Sequence, residues 1–182
     1  MNGELNKADK VIRNVKVFNS YFKKFSDADV YVKDGKFLYI DKKKINEITA
    51  DEVIDGAGKY MIPGLIDIHM HIESSLVTPA AFGDYTVRNG LTTIVSEPHE
   101  IANVYGKQGI LAMIEDGKKA PYDMFFAIPS NVPITYDYET AGAEISFEDM
   151  LELKEVENVL CLGEVMNYRE IIRENDSKWQ SS

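Results

Sequence analysis

The chain has a single cysteine, Cys161, which excludes an internal disulfide and fits a reducing compartment. Its neighbours Leu160 and Leu162 predict a buried structural thiol rather than a nucleophile. Positive charge is scarce. The 20 basic side chains face 30 acidic ones, a net charge of −10, and this leaves no electrostatic footprint for nucleic acid or an anionic membrane. No apolar run approaches the roughly 20 residues of a membrane span, and the polar opening Met-Asn-Gly-Glu-Leu-Asn-Lys has no leader-like core. A cytoplasmic protein is expected. Histidine is scarce too, with three in 182 residues. Two of them stand almost side by side.

Residues 63–71 read Pro-Gly-Leu-Ile-Asp-Ile-His-Met-His. Side chains two apart on a strand leave the same face, roughly 6.6 Å apart along the backbone. His69 and His71 can therefore converge on one metal ion. The third histidine, His99, is expected at the end of the next strand.

The first sixty residues are strand-like. Val11 to Phe18, Ala28 to Val32 and Phe37 to Ile40 approach apolar–polar alternation, and Asp34-Gly35 predicts a type I′ hairpin turn. Lys42-Lys43-Lys44 reads as a solvated loop. Residues 1–61 thus form a small antiparallel β module, too short to bury a large core alone.

From Met61 the pattern changes to alternating strands and helices. Ile62 to His71 predicts one strand. Thr78 then caps a helix that has Pro79 at its first position and Gly90 as its stop. Leu91 to Glu97 is a β-branched strand, followed by a helix with Ile110, Met113 and Ile114 on its apolar face. Asp123 to Ser130 is a third strand, Ser146 with Asp149 predicts a capping box, and Val159 to Val165 is a fourth strand. Such alternation means parallel βαβ units. Both doubly wound sheets and (β/α)₈ barrels fit. The candidate residues His69, His71, Glu97, His99, Pro129, Ser130 and Glu164 all fall at strand C-terminal ends, where either architecture places its site. No Gly-rich phosphate loop follows the first of these strands, so a barrel is preferred over a nucleotide-binding sheet.

A β module running into Pro-Gly-x-Ile-Asp-x-His-x-His resembles the amidohydrolase superfamily of metal-dependent hydrolases. Three stretches narrow the likeness to the bacterial and archaeal adenine deaminases: His71-Ile-Glu-Ser-Ser75, Glu97-Pro-His-Glu-Ile-Ala-Asn-Val104 and Gly163-Glu-Val-Met-Asn167. The resemblance covers roughly residues 8–176. It implies an α/β fold, the N-terminal half of a (β/α)₈ barrel over 62–182, preceded by a small β-sandwich module that C-terminal strands normally complete. It also implies a binuclear centre of manganese or iron, with zinc as an alternative. His69 and His71 would hold one metal, and Glu164 matches the bridging carboxylate. Glu73, Glu97, His99 and Glu100 match a loop bordering the site. Glu73 with Ser74 and Ser75 either shapes its mouth or starts a helix, and Glu97 either borders it or lies in a surface loop.

The implied reaction turns adenine and water into hypoxanthine and ammonia, a step of purine salvage, in an enzyme that is a homo-oligomer when complete. The alternatives are a dihydroorotase-like amidohydrolase and a non-catalytic fragment. A whole barrel needs about 250 residues, whereas 62–182 holds four βα units at most. The expectation is therefore a truncated, frameshifted or partial chain that is inactive alone. Its outer strands would be open edges, and the final Lys178-Trp-Gln-Ser-Ser182 looks unlike a barrel helix.

Overall fold

A computed structural model describes residues 7–42, 48–135 and 139–167. Lys43, Lys44 and the 178–182 tail, for which expectations were given above, lie outside them. The chain divides into two compact units, 1–63 and 64–182.

In the first unit β1 (Lys7–Asn19) is the central strand of a five-stranded sheet. It pairs antiparallel with β2 (Lys24–Lys33), which pairs antiparallel with β3 (Lys36–Asp41). The turn between β2 and β3 places Asp34 at φ 50° and Gly35 at φ 70°, the two positive values that a type I′ turn requires. The antiparallel reading fails for the other two strands. β4 (Thr49–Asp55) and β5 (Tyr60–Met61) both run parallel to β1. The turn between them keeps the chain on one side: Gly56 donates its N–H to Arg13 O, and Gly58 donates to Asn14 O. Ala8, Val11 and Tyr31 form its small buried core.

The second unit is a four-stranded parallel sheet in the order β6 (Leu65–Met70), β7 (Leu91–Ser96), β8 (Asp123–Ile128), β9 (Val159–Leu162). The predicted strand 62–71 is shorter at both ends, because Tyr60–Met61 belongs to the other sheet and Ile62-Pro63-Gly64 pairs with neither. Gly64 is required by close approach, since a Cβ there would overlap the Thr92 side chain. The first helix, α1 (Pro79–Thr86), ends in a 3₁₀ turn over Val87–Asn89, and Gly90 closes it at φ 88°. Helix α2 (His99–Gly117) begins eleven residues before the apolar positions that signalled it, and kinks at Gly106. His99 is therefore the first residue of a helix, two residues beyond where β7 was expected to end. Helix α3 (Phe147–Leu153) opens with the predicted capping box, each of Ser146 and Asp149 bonding the other's backbone N–H.

The core lies between β7–β8 and helices α2–α3. Ile94, Met124, Phe126 and Ile128 of the strands meet Ile110, Ile114, Met150 and Leu153 of the helices. Gly117 has no side chain where the Phe126 ring passes. The outer strands are less well covered: Ile68 of β6 is 77% exposed, and Leu160 and Leu162 of β9 are also exposed. Cys161 shares that exposure. The expectation of a buried thiol fails because β9 is the last strand of the sheet among the described residues and has a neighbour on one side only.

Lys107 of α2 bridges to α3, with Nζ 2.7 Å from Asp149 and 2.8 Å from Glu152. The Lys107 hydrogen bond holds the Asp149 carboxyl below its ordinary value against the opposing effect of burial, and Ser146 adds to the lowering. A carboxyl whose pKa is depressed by folding stabilises the fold above its unfolded pKa, and that contribution disappears as pH falls through the folded value. Lys107→Met should therefore lower the urea midpoint at pH 7. The deficit should narrow as pH falls below about 4, the ordinary aspartate value. Urea titrations of both proteins across pH 3–7 measure it.

Candidate metal centre

The site is built where three parallel strands end. Between Asp67 and Met70 strand β6 carries one residue more than β7 opposite it: Asp67 pairs Ile94 while Met70 pairs Ser96. Such a bulge re-aims side chains at a strand end, and His69 lies within it. His71 follows directly, at the start of a 3₁₀ turn over Ile72–Ser75. The two rings meet edge to face with centroids 5.2 Å apart.

Glu164 arrives from the end of β9. Its Oε2 lies 3.8 Å from His69 Nε2, and its Oε1 lies 3.5 Å from His71 Nε2. All three ligand atoms fall within 4.8 Å of one another. Two ligands each about 2.1 Å from one ion can be at most about 4.2 Å apart. Both His–Glu separations meet that limit. Two imidazoles and a carboxylate suit manganese, iron or zinc, so the donor set does not name the metal. The residues present therefore fit a divalent ion.

Four other sequence candidates surround this triad. Glu97 is fully buried, so the surface-loop alternative is excluded. Its Oε2 accepts the Glu164 backbone N–H at 2.8 Å and lies 3.7 Å from His69 Nδ1. Its Oε1 lies 3.7 Å from His99 Nδ1. That oxygen and both ring nitrogens of buried His99 have no hydrogen-bond partner among the described residues. His99 stays out of the ligand triad, its ring 6.4 Å from that of His71. Glu100 Oε2 is 3.0 Å from His71 Nδ1, and Glu100 Oε1 accepts the Ser74 hydroxyl at 2.7 Å. Burial acts to raise the Glu100 pKa. The Ser74 hydroxyl, the backbone and His71 outweigh it and hold the carboxyl below its ordinary value. Glu73 moves the other way. Burial pushes its carboxyl up, although it accepts the Ile101 N–H at 3.3 Å. Glu73 belongs to the 3₁₀ turn and ties it to the start of α2; Ser75 bonds back to Ile72 O.

Two further residues hold the triad and carried no assigned role in the sequence. Ser130, fully buried past β8, donates to the Glu164 carbonyl at 2.6 Å. Gly163 leaves the space that the Glu97 carboxylate fills, and a Cβ at 163 would overlap it. The Gly-Glu pair at 163–164 was the available signal.

The sequence profile described as "Amidohydrolase family" matches residues 60–167, the span that holds all of these groups. The chain belongs to the amidohydrolase family. Among curated relatives, this amidohydrolase chain is 48% identical to an adenine deaminase of Clostridium perfringens over 168 residues, covering 92% of the chain and 29% of the relative. It is 49% identical to adenine deaminase 2 of Shouchella clausii, covering 93% of the chain and 30% of that protein. The chain thus spans less than a third of the length of the curated relatives it matches.

Two solved structures share the amidohydrolase fold at low identity. Atrazine chlorohydrolase of Arthrobacter aurescens, complexed with zinc, matches with TM-score 0.59 and 16% identity, covering 84% of this chain and 46% of that one. N-acyl-D-glutamate deacylase of Bordetella bronchiseptica, also complexed with zinc, matches with TM-score 0.50 and 19% identity, covering 67% and 29%. The parallel sheet is accordingly part of a (β/α) barrel. No helix among the described residues is long and apolar enough to cross a membrane.

Gly163→Ala should force the Glu97 carboxylate from its place and carry the Glu164 N–H with it. Overpacking of this kind costs about 1–3 kcal/mol, so a lower thermal midpoint is expected, read by circular dichroism.

Proposed function

We propose that this chain supplies the first ligands of a divalent-metal centre in an enzyme that hydrolyses adenine to hypoxanthine and ammonia. The observation that carries the reading is the convergence of His69, His71 and Glu164 within the span that is nearly half identical to adenine deaminases. Manganese or iron is the proposed metal. The ion supplies Lewis acidity, which makes water a competent nucleophile at neutral pH.

The chain's own residues do the holding. His69 and His71 present Nε2 toward the same point, and Glu164 offers one oxygen to each. Glu97 and Ser130 fix the Glu164 backbone from two sides, through its N–H and its carbonyl. Two imidazoles and one carboxylate are fewer ligands than a binuclear centre needs, and four strands do not enclose a water-excluding cavity. The activity is therefore proposed for a complete barrel.

A chimera tests this, with residues 1–167 replacing the matching part of the Clostridium perfringens adenine deaminase. Loaded with manganese, it should convert adenine, followed by ultraviolet absorbance. In it, His69→Ala, His71→Ala and Glu164→Gln should each lower metal content and reduce turnover by more than about 100-fold, beyond the 10–100-fold typical of losing an outer partner. A folded, metal-loaded chimera inert toward adenine would sink the proposal.

The 182-residue polypeptide by itself should show no adenine turnover in the same manganese-supplemented assay. Turnover near 10 per second, an ordinary enzyme rate, would show that these three ligands suffice.

A further inference from the structure

We propose that Glu100 is a positioning residue: with Ser74 holding it, its carboxylate keeps the proton of His71 on Nδ1 and so leaves the Nε2 lone pair free for the metal. This rests on the metal-centre reading given above, and extends it to a residue that neither touches the ion nor belongs to the ligand triad.

A neutral imidazole carries one proton on one of two nitrogens, and the hydrogen bond made by one nitrogen decides the state of the other. His71 has its two nitrogens in different company. Nε2 faces Glu164 Oε1 at 3.5 Å, and Nδ1 meets Glu100 Oε2 at 3.0 Å. An ionised carboxylate has no proton to give, so the short contact requires Nδ1–H as donor. A proton on Nε2 would instead point at the ion and block ligation.

Glu100 is itself fixed at both ends. Its other oxygen takes the Ser74 hydroxyl at 2.7 Å, and its backbone lies in the first turn of α2, where exposed N–H groups favour negative charge. Ser74 comes from the 3₁₀ turn that follows His71, so the loop bearing the ligand and the helix bearing its partner are tied together. His69 lacks a comparable contact among the described residues. Its Nδ1 stands 3.7 Å from Glu97, too long for a hydrogen bond.

The chain's three histidines make the state of each ring readable by long-range proton–nitrogen NMR. The sample is the ¹⁵N-labelled 182-residue protein at a pH well above the ordinary imidazole value of about 6.5. His71→Ala assigns the signal. Wild-type His71 should show the Nδ1–H form. Glu100→Ala should shift it toward Nε2–H, while Glu100→Gln, whose amide oxygen still accepts, should restore Nδ1–H. Glu100 is half exposed, so these variants leave the core intact. Ser74→Ala should give an intermediate population.

Manganese titrated into the same samples should broaden the His71 signals. Glu100→Ala should need 10–100-fold more metal than wild type, the usual cost of losing such a partner. Wild-type His71 in the Nε2–H form, or a form unchanged by Glu100→Ala, would overturn the proposal, as would unchanged manganese affinity in that variant. Failure of the metal reading shows separately, as manganese broadening of the wild-type pattern that His69→Ala leaves unaltered.

Discussion

The buried carboxylate of Glu97 is the constraint on which the site depends. A carboxylate taken out of water costs several kcal/mol unless hydrogen bonds replace its hydration. One replacement comes from another strand: Glu97 Oε2 takes the N–H of Glu164 beyond β9. The Glu97 backbone is tied as well, its N–H donating to Met70 O at the end of β6, 2.8 Å away. One residue past β7 therefore joins the end of its neighbour β6 to the end of β9, which lies beyond β8. The bare Cα of Gly163 gives the room for it.

That junction explains how candidate ligands spread over almost a hundred residues come together. His69 and His71 are placed by a bulge in β6, Glu164 by a peptide clamped between Glu97 and Ser130. The core beneath, Phe126 and Ile94 against Ile110, Ile114 and Leu153, keeps β7 and β8 rigid while the outer strands stay partly uncovered. Stability is thus concentrated in the middle of the sheet. The candidate metal centre sits at its C-terminal rim, where parallel α/β architectures place their sites.

Much of the second unit was legible from local signals. The β-branched run Leu91 to Ser96, the capping box at Ser146 and Asp149, and Gly90 as a helix stop each work through a few neighbouring residues, and each took its expected place. The Asp34-Gly35 turn did so for the same reason. The failures were of another kind. Strand direction in the first unit depends on which distant strand accepts β4 and β5, and apolar alternation looks the same for parallel and antiparallel partners. Cys161 sits in an apolar run, yet burial is set by what packs over β9, and its flanking leucines are exposed with it.

The sequence by itself determined the chemistry on offer. Two histidines two apart at a strand end, with a glutamate after the fourth strand, offer donor atoms that could hold a metal ion. It also determined the alternation of strands and helices, because apolar periodicity is a property of consecutive residues. Only the tertiary structure decided what each remaining polar residue does. Glu97, Glu100 and Ser130 all lie near strand ends, with nothing local to tell them apart. One became a buried tie between strands, one the partner of His71 Nδ1, and one a clamp on Glu164. Those roles come from contacts across 29 to 67 residues of chain, and contacts at that range exist only once the parallel sheet has brought its strand ends together.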